Sequence, residues 1–233
     1  MKKNYLALFA AAAIILACSC GQQKNKTPDA KISENKLLQK QTVINTADDA
    51  LNELINGNKR FLSGKMINTD YKDEIEETKA GQHPHSVILS CEDSRVPPEI
   101  IFDQGIGNIF VNRVAGNVED VDMLGSIEYA VKIVGSKLIV VMGHKSCGAI
   151  HGAVDNIHLG NLTNLLEEIR PSITGDSLHM EEMLDETTKN NVKMTIDRIL
   201  KKSKVISDLV NENKVKIVGA YYDVTNGQVI FLK

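Results

Sequence analysis

Cysteine is scarce in this chain, four among 233 residues, and Cys18 and Cys20 lie together near the N-terminus, leaving only Cys91 and Cys147 in the body. A basic excess is also missing. The 27 Lys and Arg against 30 Asp and Glu give a net charge of -3, and a mildly acidic body lacks the clustered basic face that nucleic acid requires. The short Lys201-Lys202-Ser203-Lys204 cluster reads as a solvated helix face. Gly105-Ile106-Gly107 lacks the remainder of a dinucleotide fingerprint, and there is no phosphate loop. No internal repeat is visible. With 42% hydrophobic and 24% charged residues, the chain has the make-up of a soluble globular protein with one domain-sized core.

The first residues form a separate unit. Met1-Lys2-Lys3 is a basic start, and Tyr5 to Ala17 is an apolar run of thirteen residues, short of the ~20 that cross a bilayer but suited to a signal peptide. It ends in Ile15-Leu16-Ala17-Cys18, which resembles a bacterial lipobox, with Cys18 as the lipid-modified residue after cleavage. Residues 1–17 are therefore expected to be a signal peptide, and 18–45, rich in Gln, Lys, Asn, Thr and Ser, a lipid-anchored flexible tether. The implied location is the bacterial envelope, as a periplasm-facing lipoprotein; the alternative is secretion to the periplasm without lipid. The folded domain spans 46–233.

Within it, Thr46-Ala47-Asp48-Asp49 is an N-cap pattern, followed by a helix carrying Leu51, Leu54 and Ile55 and, after an interruption at Gly57, Phe61 and Leu62. Short apolar runs predict strands at Val87–Cys91, Ile109–Val111, Leu138–Met142, Val215–Tyr221 and Val229–Leu232, the last after an Asn226-Gly227 turn. Helical patterns lie between them at Val121–Val134, from Cys147, at Leu162–Ile169 up to Pro171, and near Thr187–Asn211. Met180–Glu186 reads as an amphipathic helix with an acidic face. Such alternation predicts an α/β fold: a mostly parallel sheet of about four strands, plus an antiparallel C-terminal strand, flanked by helices.

Two body cysteines in an exported protein normally read as a disulfide. His144, three residues before Cys147, and Asp93, two after Cys91, are not needed by a disulfide, and they point to zinc. Cys91, His144 and Cys147 supply two thiolates and an imidazole, a soft set that suits zinc over magnesium or calcium. A fourth position is left for water or for Asp93, which suggests hydration or hydrolysis. Cys91 closes one strand and His144 follows another, and in parallel sheets ligands collect at the carboxyl ends of strands. Arg95 is placed to hold the Asp93 carboxylate by a bidentate bond, so that it accepts a hydrogen from a nucleophile on the metal.

The stretch SCEDSRVPPEIIFDQGIGNIFVNRVAGNV, then GSIEYAV and IVVMGHKSCGAI, resembles the β-class carbonic anhydrases, as do LINGNKRFLSG upstream and the terminal IVGAYYDVTNGQVIFL. The resemblance covers about Ala47 to Leu232. It implies the β-carbonic anhydrase fold, one Zn2+ per chain on Cys91, His144 and Cys147, and a catalytic Asp93-Arg95 dyad. The implied reaction is reversible hydration of CO2 to bicarbonate and a proton by zinc-bound hydroxide. Gln104 aligns with a glutamine that in many members hydrogen-bonds substrate oxygens; on the residues alone it reads equally as a turn. A homodimer or higher homo-oligomer, with sites near the interface, is also implied. Val96 and Ala115 are expected to shape an apolar pocket. His83 and His85 read as solvated loop residues, and His151, His158 and His179 as structural. Two other readings keep the metal: a carbonyl sulfide or carbon disulfide hydrolase, and a non-catalytic zinc-binding envelope protein.

Overall fold

The computed structural model describes residues 44–175 and 179–233. The leader, Cys18 and the tether up to residue 43 lie outside the described residues. Helix α1 (Ala47–Leu62) starts at a reciprocal cap: Thr46 Oγ1 accepts from the Asp49 N–H at 3.1 Å, and Asp49 Oδ2 accepts from the Thr46 N–H at 2.9 Å. The helix does not break at Gly57. A Cβ there would lie 1.7 Å from the Phe102 carbonyl oxygen, so glycine marks a close backbone crossing rather than an interruption. Its neighbour Asn58 is buried and donates Nδ2–H to the carbonyls of Ile101 and Gly227, while its Oδ1 accepts from the Val229 N–H. One amide therefore ties α1 to the C-terminal hairpin.

The remaining elements alternate. Helix α2 (Tyr71–Thr78) precedes β1 (Ser86–Ser90), α3 (Pro98–Ile101), β2 (Ile109–Arg113) and α4 (Val121–Glu128), which widens into a π turn over Tyr129–Val134. Then come β3 (Leu138–His144), α5 (Gly148–Val154), α6 (Gly160–Ile169), α7 (Met180–Lys202), α8 (Lys204–Asn211), β4 (Lys216–Tyr222) and β5 (Val229–Phe231). Two elements, α2 and α3, have no counterpart in the sequence reading. The long C-terminal helix begins at Met180 rather than near Thr187, and it breaks at Ser203, whose Oγ caps the Ile206 N–H and opens α8. Among the described residues no helix is long and apolar enough to cross a membrane.

The sheet runs β2-β1-β3-β4-β5, parallel except for the β4–β5 hairpin pair. Strands β1 and β3 are buried along their whole length. Side-chain alternation divides them between two cores. Val87, Leu89, Ile139 and Val141 face one layer with Ile127, Val192, Ile199 and Ile206, whereas Ile88, Leu138, Val140 and Met142 face the other with Leu54, Phe102 and Ala220. Each such aliphatic side chain contributes about 1.5–3 kcal/mol on burial. From β1 the chain turns outward to β2, then crosses back to β3 on the other side. The crevice between the carboxyl ends of β1 and β3 is where such a sheet receives ligands.

Candidate metal centre

Ser90 pairs with Met142 in the parallel register, so Cys91, just past β1, and His144, the last residue of β3, emerge at the same edge. Cys147 joins them as the residue preceding α5, with the left-handed Ser146 (φ 56°) turning the chain back between them. Ligand atoms of Cys91, His144 and Cys147 all lie within 4.8 Å of one another, and all three residues are buried. The two cysteines are free thiols with sulfurs 3.9 Å apart, so the disulfide alternative does not hold. An apolar shell of Val118, Ile150, Ala153, Leu166 and Ile169 packs around them.

The chemistry of the donors fits zinc. His144 Nδ1 lies 2.9 Å from the Lys145 carbonyl, which can only accept, so Nδ1 carries the proton and Nε2 presents a lone pair. That Nε2 is buried and, among the described residues, has no hydrogen-bond partner. An orphaned imidazole nitrogen facing two sulfurs is what a metal ligand looks like, and the carbonyl behind it is the usual orienting partner. The hydrogen bond from Cys147 holds the Cys91 thiol down to about 4, helped by the N–H groups of Asp93 and Gly116, against burial. That same bond, with burial, pushes Cys147 up. Two facing thiols beside an imidazole lone pair suit a dication, which would displace their protons.

Asp93 sits beside this group, its Oδ2 3.9 Å from His144 Nε2. Arg95 grips both carboxylate oxygens: Nε donates to Oδ1 at 2.9 Å, a terminal nitrogen to Oδ2 at 2.8 Å, and the Arg95 backbone N–H also reaches Oδ1. These bonds hold the Asp93 carboxyl down to about 2. Arg113, at the end of β2, donates Nε–H to the Cys91 carbonyl at 3.0 Å and a terminal N–H to the Asp93 carbonyl at 2.5 Å. It therefore fixes the backbone carrying both a ligand and the dyad acid. The sequence reading missed Arg113, because a strand-end arginine has no local signature and its partners are some twenty residues away.

Gln104 does not join this group within the chain. Its Oε1 lies 3.0 Å from His85 Nε2, and its Nε2 donates to the Phe102 carbonyl and toward Glu53. His85 precedes β1 and Cys91 follows it, which at 3.3 Å per residue separates them by about 20 Å. His85 is also not a solvated loop residue: it is held by Ser86 and Gln104, and burial pushes its pKa down. Val96 is fully buried among Ile88, Phe102 and Met142, so it belongs to the core and does not line a pocket; Ala115 is half-buried. His83, His151, His158 and His179 are exposed.

Comparison with known proteins agrees with this geometry. The family model described as carbonic anhydrase matches residues 86–229. Carbonic anhydrase 2 of Mycobacterium tuberculosis is 38% identical over 180 residues, spanning 75% of this chain and 87% of the relative. A carbonic anhydrase of Mycolicibacterium smegmatis is 35% identical over 182 residues, 76% of this chain and 88% of its own. Among solved structures, the β-carbonic anhydrase CafA of Aspergillus fumigatus superposes with a TM-score of 0.64 at 25% identity, covering 79% of this chain and 91% of that one. A tetrameric β-carbonic anhydrase of Sordaria macrospora gives 0.62 at 23% identity, covering 79% and 97%.

Proposed function

The chain belongs to the carbonic anhydrase family, and from that premise we propose that it interconverts carbon dioxide and bicarbonate at a zinc held by Cys91, His144 and Cys147. The observation that carries this is the buried triad with its orphaned imidazole nitrogen beside an arginine-clamped carboxylate. Bound zinc acidifies water into a nucleophile near neutral pH, a property for which carbonic anhydrase is itself the standard example.

The chain's own residues do the rest. The Lys145 carbonyl keeps His144 in the tautomer whose Nε2 is free. Asp93, ionised at any working pH, acts only as an acceptor, so it takes a hydrogen bond from the attacking water and turns the oxygen lone pair toward carbon. Arg95 holds both oxygens of that carboxylate and so would keep it from coordinating a bound metal. With a carboxyl held so far below neutrality, Asp93 orients a proton but does not store one; the proton released in hydration leaves to solvent at the edge of the crevice. A purely structural zinc is not favoured, because three ligands leave a fourth position open and both dyad residues are present and paired; the relatives named carbonic anhydrase favour CO2 over a sulfur-containing substrate.

A homo-oligomer is part of the reading. Its supports are strand β2, at the edge of the sheet and unpaired on its outer side among the described residues, and the nearby exposed Val121, Tyr129 and Ile133, the kind of edge that proteins cover. Gln104, remote from its own chain's thiolates, reaches a metal centre only across such an interface. Stopped-flow hydration with zinc analysis and light scattering on one sample tests all three: fast turnover, about one zinc per chain and at least a dimer are expected. A full zinc complement without turnover would sink the reading.

The N-terminal sequence supports a lipid anchor at Cys18 in the bacterial envelope, although that segment lies outside the described residues. Metabolic labelling with palmitate is expected to mark the full chain and not Cys18→Ala. Equal labelling of the variant would remove the anchor and leave export without lipid.

A further inference from the structure

What holds a ligand shapes a metal centre as much as the ligand does. The Cys91 sulfur accepts a backbone bond from the Gly116 N–H at 3.4 Å. That N–H belongs to the tight turn Ala115–Asn117, in which Gly116 (φ 68°) and Asn117 (φ 47°) are both left-handed. A Cβ on Gly116 would come within 2.5 Å of Ile169 Cδ1, so a side chain there would displace Ile169 as well as strain the left-handed backbone. Consecutive left-handed residues, one of them not glycine, persist only when their surroundings hold them.

Helix α7 does the holding. Asn191, wholly buried, donates Nδ2–H to the Gly116 carbonyl at 2.8 Å. Farther along the same helix, Arg198 and Lys202 pair with the buried Glu119 carboxylate at 2.9 and 2.8 Å. The helix therefore grips the segment after β2 at both ends. Stability alone does not account for an amide at position 191. Among the described residues its Oδ1 has no partner, nor has Nδ2 of Asn117, and a buried amide left half-satisfied costs about 1–3 kcal/mol relative to a well-packed apolar group.

We propose that Asn191 is a positioning residue of the metal centre, anchoring the Gly116 carbonyl so that the Gly116 N–H stays on the Cys91 sulfur. The proposal rests on Cys91 being a zinc ligand. A thiolate that keeps its N–H bond is held in one orientation and gives less charge to the metal. Without the bond, sulfur becomes a stronger donor in a looser site, and both changes can be read without turnover.

The test uses the full-length protein loaded with cobalt(II) and, separately, zinc. In Asn191→Ala the sulfur-to-cobalt charge-transfer band is expected to move to longer wavelength. Zinc affinity from chelator competition is expected to fall about tenfold. Thr195→Ala is the control: Thr195 is buried on the same helix, and its Oγ1 accepts from Arg198 without touching Gly116. It should leave band and affinity unchanged whatever it does to Tm. If Asn191→Ala does not fold, the smaller change Asn191→Ser reads the same two quantities. An unmoved band with unchanged zinc affinity in a folded Asn191 variant overturns the proposal. Absence of the band in the wild-type cobalt protein would instead refute the thiolate metal site, and the positioning role with it.

Discussion

Cys147→Ser is expected to leave the chain folded, to strip it of zinc on dialysis against a mild chelator, and to lower CO2 hydration more than about a thousandfold, equivalent to roughly 4 kcal/mol of transition-state stabilisation. The argument begins with the donor atom. Serine has nearly the shape of cysteine, and at the N-terminal boundary of α5 a hydroxyl is at least as acceptable to the backbone as a thiol. What it cannot supply is an anionic soft ligand, because its hydroxyl stays protonated near neutrality. The centre then has one thiolate and one imidazole, too few to hold zinc against competition. Cys91 also loses the sulfur partner that now holds its thiol down to about 4. Metal analysis and stopped-flow hydration on the same preparation decide the matter. A variant that keeps both zinc and turnover would remove Cys147 from the centre, whereas loss of turnover with zinc retained would reduce it to a supporting role.

The triad was legible because its signal is local: C-x-D-x-R and H-x-x-C each place their residues at the end of an apolar run, and VILSC and LIVVM are hard to read as anything but buried strands. Elements without an apolar signature were not legible. Helix α2, YKDEIEET, buries only Glu74, whose carboxylate accepts the Ile106 N–H at 3.1 Å, so a polar contact docks the helix and no hydrophobic periodicity exists to detect. Helix α3 is four residues long and too short to show a period. Gly57 misled for a related reason: a glycine required by the Phe102 carbonyl looks in sequence like a break. Residues that act through the backbone of distant segments were invisible as well. Arg113 holds the Cys91 and Asp93 carbonyls, and Asn191 reaches Gly116 from 75 positions away. Gln104 shows a different limit, since resemblance to a family pattern suggests a role without showing that the residue lies at the other end of β1 from its own chain's thiolates.

Arg95→Ala is expected to lower kcat/KM for hydration about a hundredfold at neutral pH, roughly 2.7 kcal/mol, and to change the shape of its pH dependence. In the wild-type protein Arg95's bonds hold Asp93 down to about 2, below its ordinary 3.8. Across pH 5 to 9 the dyad therefore keeps its charge, and the acid limb of log(kcat/KM) should have a slope of about one, set by ionisation of the attacking water. Removing the guanidinium takes away two of the three donors to the carboxylate oxygens and leaves only the Arg95 backbone N–H. Asp93, with Oδ2 already 3.9 Å from His144 Nε2, is then free to swing toward the metal as a fourth ligand. Base favours the water in that competition, so the midpoint of the profile should move to higher pH and activity should recover partly as pH rises. Arg95→Lys is not a conservative rescue, since an ammonium is a point charge that cannot span both oxygens, and it should resemble the alanine variant more than the wild type. A hundredfold loss with an unmoved midpoint would mean that Arg95 acts on the transition state by charge alone. Undiminished activity would show that the dyad does not orient the nucleophile.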